Sequence, residues 1–132
     1  MTDLEKAREF FAADRFATEA TGIEILEVGE KYAKCRLKTS GIHQNAAGQV
    51  MGGVLFTLAD FTFAVATNHG TTSPTVTVTS TISYLSVPRS DVLFGESRLL
   101  RDGQRNCFYE ISITDDQGTL VAVVNTTGAH LS

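Results

Sequence analysis

Apolar positions recur in two rhythms along this chain of 132 residues. Leu4, Ala7, Phe10 and Phe11 stand at helical spacing behind Thr2-Asp-Leu-Glu5, which has the form of a capping box. This predicts a short amphipathic helix from Asp3 to about Asp14, within a helical region of residues 1–20, and its role is structural. From Gly22 the rhythm shortens to two. Gly22 to Val28 reads as a first strand and Gly29-Glu30 as a turn. From Tyr32 to Lys38, Ala33, Cys35 and Leu37 alternate with Lys34, Arg36 and Lys38, the pattern of a strand half in water. A solvated face accounts for the three basic side chains; attraction of an anionic ligand is the alternative.

The alternation returns in the second half. Thr75 to Leu85 is its clearest case, with Val76, Val78, Ile82 and Tyr84 expected on one side and Thr75, Thr77, Thr79, Thr81 and Ser83 on the other. Ser86 to Asp91 breaks the pattern at Pro88. Val92 to Arg101, Arg105 to Thr114 and Leu120 to Gly128 read as three more strands, joined by turns at Asp102-Gly103 and Asp115 to Gly118. No linker, repeat or low-complexity run divides the chain, so residues 1–132 are expected to form one domain. Helix, two strands, long helix and four closely spaced strands make an α+β order. An antiparallel sheet curling around one central helix satisfies it.

That central helix, residues 52–69, is apolar on nearly every side from Val54 to Asn68, as a buried helix is. Its single charge is Asp60. An interior carboxylate must have a partner or a task, because an unpaired one costs several kcal/mol or shifts its pKa. Gly52 and Gly53 open the helix and leave its first N–H groups uncovered, an end able to hold an anion or an oxyanion. Asn45 adds an amide donor in the loop Thr39 to Met51. Gly70 suits the position just past the helix end, and His69 the negative pole. Gly52 and Asp60 are eight positions apart, or about 12 Å along a straight helix, too far for one reaction centre. Two such helices antiparallel across a two-fold axis would bring Asp60 of one chain to Gly52 of another. The expectation is a homodimer with two composite sites.

Composition removes several classes of function. The chain is 42% hydrophobic and 20% charged, with a formal net charge of −4 and no Arg-rich arm, which argues against a nucleic-acid partner. The central helix is too short, and its charge too central, for a membrane span. Cys35 and Cys107 stand far apart without a C-x-x-C, so both are expected as reduced thiols in strands. Met-Thr-Asp-Leu-Glu-Lys has no apolar signal core, and the expected localisation is cytoplasmic. No His, Asp and Glu cluster has ligand spacing and no dinucleotide or phosphate fingerprint is present, so neither metal nor cofactor is expected. No G-x-S-x-G occurs, and His43, His69 and His130 have no evident partner in the sequence. What remains is Asp60 with Gly52 and Asn45, a set suited to attack on a carbonyl carbon. Taken singly, Asp60 could instead be bonded to backbone or a threonine, the glycines could serve packing, and Asn45 could cap its loop.

The stretch H-x-N-x-x-G-x-x-x-G-G-x-x-F-T-L-A-D, His43 to Asp60, resembles the signature of the PaaI-like branch of the hotdog-fold acyl-CoA thioesterases. V-T-S-T-I-S-Y-L-S-V-P and the tail D-Q-G-T-L-V-A-V-V-N-T-T-G are similar to that family's later strands, and the resemblance spans roughly residues 22–131. It implies a cofactor-free hydrolase of acyl-CoA, a dimer often paired into a dimer of dimers, and sites shared between subunits. By this resemblance Asp60 is the catalytic carboxylate, Gly52 the oxyanion donor beside Gly53, and Asn45 the amide that places the thioester. Thr77 falls where some relatives hold water, and Ser86 to Arg89 where they meet coenzyme A; a solvated Arg89 is the alternative to a phosphate contact. Met51 departs from the pattern, which has histidine there. The loss of that ring leaves Gly52 and Asp60 in place, and also motivates a second reading, a non-catalytic acyl-CoA sensor. A dehydratase would need a histidine–aspartate pair. Phe56, Phe61 and Phe63 are either the wall of an acyl pocket or core.

Overall fold

A computed structural model describes residues 1–131. Helix α1, Asp3–Phe11, starts at the predicted capping box: Thr2 Oγ1 accepts from the Glu5 N–H and Glu5 Oε1 from the Thr2 N–H, both at 3.1 Å. It ends earlier than its apolar spacing suggests. A π-helical turn, Phe16–Thr21, follows and closes at Gly22, whose φ of 91° donates the Gly22 N–H back to the Ala17 carbonyl. Gly22 is therefore a cap and not strand, and β1 begins two residues later, Glu24–Gly29. Strand β2, Tyr32–Lys38, has the predicted bounds, with Ala33, Cys35 and Leu37 fully buried.

The central helix α2, Gly52–Asn68, lies against a six-stranded antiparallel sheet completed by β3 (Thr75–Tyr84), β4 (Val92–Asp102), β5 (Asn106–Asp115) and β6 (Leu120–His130). The strand order is β1-β2-β4-β5-β6-β3, so β1 and β3 are the edges. Leu58, Phe61, Phe63 and Val65 fill the core against Leu37, Leu93, Ile111, Ile113 and Val124. Phe61 packs edge-on against Phe11 and Phe63 against Tyr109, so both aromatics are core and not the wall of an acyl pocket. The contact is close enough to need glycine at Gly95, where an added carbon would lie 2.6 Å from Thr62 Oγ1. Cys35 and Cys107 are buried free thiols on β2 and β5, as expected.

Strand β3 departs from its expected alternation. A register shift between Thr77 and Thr79 sets Thr77 opposite Gly128 but Ser80 opposite Thr126 and Ile82 opposite Val124. Directly paired residues share a side. Thr75 and Thr77 therefore join Ser80, Ile82 and Tyr84 on the face toward α2, and Val76 turns away. At the start of β3, Thr75 Oγ1 lies 2.8 Å from His130 Nδ1; His130 Nε2 is 2.7 Å from Asp102, which also pairs with Lys31 at 2.7 Å. No helix of the described residues is long and apolar enough to cross a membrane.

Candidate active site

Gly52 opens α2 as predicted, and no side chain caps that end with a hydrogen bond. Met51 is the N-cap, with extended backbone and no side-chain hydrogen bond, and is half-exposed. The first N–H groups thus keep their partial positive charge for a ligand. The loop before it is tightly built. Gln44 and Val50 bridge its ends, the Met51 N–H donates to the His43 carbonyl at 2.9 Å, and the Asn45 N–H to the Gln49 carbonyl at 2.7 Å. Asn45 Oδ1 accepts from the Ala47 and Gln49 N–H groups, at 2.9 and 3.1 Å. Capping the loop consumes the oxygen and leaves the Nδ2 donors without a protein partner among the described residues. His43 is fully committed: Nδ1 accepts from the Ser40 N–H at 2.9 Å, which places the proton on Nε2, 2.6 Å from the Thr21 carbonyl.

A cavity of about 470 Å³ opens at this helix end, lined by Gln49, Val50, Gly52 and Leu55 on one side and Tyr84 to Pro88 on the other. Ser86 is in it. Arg89 lies just beyond, exposed, with its backbone N–H donating to Asp115 Oδ2 at 2.8 Å. Asp115 is the residue that sequence reasoning took as turn and nothing more. It is 3% exposed, and its Oδ1 also accepts from the Gln117 and Thr119 N–H groups at 3.0 and 2.9 Å. Burial resists ionisation, but the N–H groups of Arg89, Thr119 and Gln117, with the Thr119 hydroxyl, outweigh it and hold the carboxyl down to about 2. Asp115 thereby ties the Ser86–Arg89 segment to the β5–β6 turn. Tyr84 was also missed as a site residue, having been read as one apolar position of a strand.

Asp60 corrects the sequence expectation. It is not enclosed: Asp60 and Gly53 reach solvent on one stripe of α2, with Phe56, Thr57 and Ala64 half-buried beside them. The opposite faces of the helix are in the core. Surrounding apolar atoms still desolvate the Asp60 carboxyl and raise its pKa, and the negative charge of Asp14, just after α1, adds to the shift. Thr77 pairs with Gly128, whose position abuts Phe63, about one turn of α2 past Asp60. Thr77 and Tyr84 are seven residues apart on β3, roughly 23 Å of strand. Within one protomer Asp60, at the middle of α2, is about 12 Å along the helix from its N-terminal end, where Gly52, Gly53, Met51, Asn45 and Ser86 lie. Thr77 lies toward the other end of β3 from Tyr84.

A larger cavity, about 820 Å³, lies at the C-terminal end of α2 between α1 and the β1–β2 turn, and holds none of the predicted site residues. Thr75, His130 and Asp102 line it as a hydroxyl–imidazole–carboxylate chain. Three strands bring them together, which is why no motif announced it. Thr75 and His130 are register partners and Lys31 neutralises Asp102, so strand pairing accounts for the arrangement.

A single helix laid on a curled antiparallel sheet, entered through a glycine-led N-terminus, is the hotdog fold of the thioesterases. The chain belongs to the thioesterase superfamily, whose family model matches residues 47–122, from the loop of Asn45 through α2 to the start of β6. It is 28% identical over 126 residues, 94% of this chain and 80% of the other, to a protein of Archaeoglobus fulgidus that carries a provisional esterase designation. Among solved structures it is similar to the PaaI protein of the Escherichia coli phenylacetic acid degradation operon, with a TM-score of 0.86 and 24% identity over 99% and 97% of the two chains. It is also similar to a hypothetical thioesterase of Streptococcus pneumoniae solved with coenzyme A, with a TM-score of 0.81 and 24% identity over 92% and 97%.

Proposed function

We propose that this thioesterase hydrolyses acyl-CoA, releasing a free acid and coenzyme A, at two sites each shared between the subunits of a homodimer. The observation that carries this reading is the separation, about 12 Å along α2, of the solvent-facing Asp60 from the open helix end at Gly52 with Asn45 and Ser86. A second copy with α2 antiparallel reunites them. Edge strand β3 supports such an assembly: it is ten residues long, one side is unpaired, and Val76 and Val78 are exposed on it. An edge of that length and apolarity is an association surface unless something covers it. The exposed stripe of α2 around Asp60 would be covered by the same partner. A dimer of dimers is compatible with this contact, which leaves the β1 edge unused.

In the reaction, the Gly52 N–H of one subunit polarises the thioester carbonyl, and Asn45 Nδ2 helps place it. Asp60 of the other subunit acts as base for water or attacks directly, with Thr77 able to hold that water. Thiolate departure breaks the carbon–sulfur bond and, on the water route, leaves the free acid. Direct attack leaves an Asp60 anhydride, which a water molecule then cleaves to the acid and the carboxylate. By this reading Ser86, at the cavity, and Arg89 beyond it meet the thiol arm and phosphates of coenzyme A. The Streptococcus pneumoniae neighbour, alike in fold, was solved with that molecule. The chemistry needs no cofactor.

A sensor reading rests on Met51, which puts a flexible thioether where a polar ring would stand. One assay separates the two: thiol release from short, medium and aromatic acyl-CoAs by wild type and Asp60→Asn. Turnover that falls at least about 100-fold in the variant, or ~2.7 kcal/mol of transition-state stabilisation, is the expected result. Binding without turnover by wild type would transfer the assignment to the sensor.

A further inference from the structure

We propose that the Tyr84 hydroxyl is a second hydrogen-bond donor to the thioester carbonyl oxygen, beside the Gly52 N–H. This rests on the hydrolytic reading and adds a residue to it. A carbon attached at Gly52 would lie 2.8 Å from Tyr84 Oη and 2.9 Å from Cζ. The phenol thus occupies the space that a side chain at Gly52 would claim, and a side chain there would have to push it aside. The pairing is built from both ends. The pairing of β3 with β6 sets Tyr84 on the face toward α2, opposite Ala122, and the Leu85 and Ser86 N–H groups hold the strand end to the Val121 carbonyl at 2.9 and 3.1 Å.

The hydroxyl itself is uncommitted. The chain has three tyrosines. Tyr109 donates to the Lys31 carbonyl and Tyr32 to Glu96, but Tyr84 has no protein partner among the described residues and is 56% exposed at the mouth of the cavity. Met51, the neighbouring side chain, has no N–H or O–H to offer. Tyr84 therefore brings an O–H to the helix end where the carbonyl oxygen is expected. Charge grows on that oxygen as the carbonyl carbon becomes tetrahedral, so a neutral donor aimed at it acts on the transition state more than on the bound substrate.

The test is Tyr84→Phe, which keeps the ring and removes only the hydroxyl. Thiol release should show kcat lowered about 10–100-fold with KM changed by less than ~3-fold, the split expected for an interaction made in the transition state. A second readout does not need turnover: the infrared carbonyl band of bound hexanoyl-CoA ketone, with a methylene in place of sulfur. Wild type should shift this band to lower wavenumber, and Tyr84→Phe should lose part of that shift. Unchanged kcat with an unchanged band overturns the proposal. Wild type that binds the ketone and shifts its band through Tyr84, yet hydrolyses no thioester, contradicts the hydrolytic reading and leaves Tyr84 as a carbonyl donor. Failure to bind the ketone contradicts both.

Discussion

At the scale of single residues, two carboxylates, Asp60 and Asp14, share an electrostatic neighbourhood. Desolvation raises the Asp60 pKa, and Asp14 adds like-charge repulsion. A base must be ionised to act, so activity should rise with pH through the Asp60 pKa. Asp14→Asn removes the repulsion and should move that acidic limb to lower pH, leaving the plateau within about 3-fold of wild type. A pH–rate profile of kcat/KM checks it; an unmoved limb would mean that Asp14 has no influence on the group that titrates. The Asp60 pairing was partly legible in the sequence. A lone carboxylate in an apolar helix is conspicuous, but Asp14 is one acidic residue among fifteen acidic residues, with no signal that the chain folds it back toward α2.

Among the elements, the segment after β3 depends on a residue far away in sequence. Asp115 holds the Arg89 N–H and its own turn with one carboxylate, and its pKa lies well below the unfolded value of about 3.9. A lowered carboxylate pKa gives stability that is present above the unfolded value and lost as pH falls through the folded one. Wild type should therefore lose thermal stability between about pH 4 and pH 2 in part through this group. Asp115→Asn should melt some degrees lower than wild type at pH 7, and by a smaller difference at pH 2, as followed by circular dichroism. Equal melting temperatures at pH 7 would contradict the role.

Periodicity reached most of this architecture. The bounds of β2 and α2, the four later strands and the glycine-led helix start all follow from patterns of two and of 3.6. Three features did not. The π turn at Phe16–Thr21 has no apolar period of its own and is fixed by Gly22 and by packing on α2. The β3 bulge inserts one residue without a sequence mark, and so reverses the expected sides of Val76 and Thr77. Asp60 is expected to be enclosed because an all-apolar helix reads as buried, whereas one stripe of α2 reaches solvent. In the proposed dimer a partner chain covers that stripe, and a single chain's pattern records such cover only as excess apolarity.

At the scale of the whole molecule, neither subunit of the proposed dimer holds a complete site. Complementation tests it directly. Asp60→Asn lacks the carboxylate, and Gly52→Ala drives a carbon into Tyr84 at the oxyanion end. Each variant alone should be nearly inactive and, by circular dichroism and size, folded and dimeric like wild type. In a mixed dimer of the two, one site collects both defects and the other is intact. Subunit exchange at equal concentrations should restore about a quarter of wild-type activity, since half of the dimers are mixed and each has one working site. Activity that stays at the level of the separate variants after exchange would contradict a site shared between subunits.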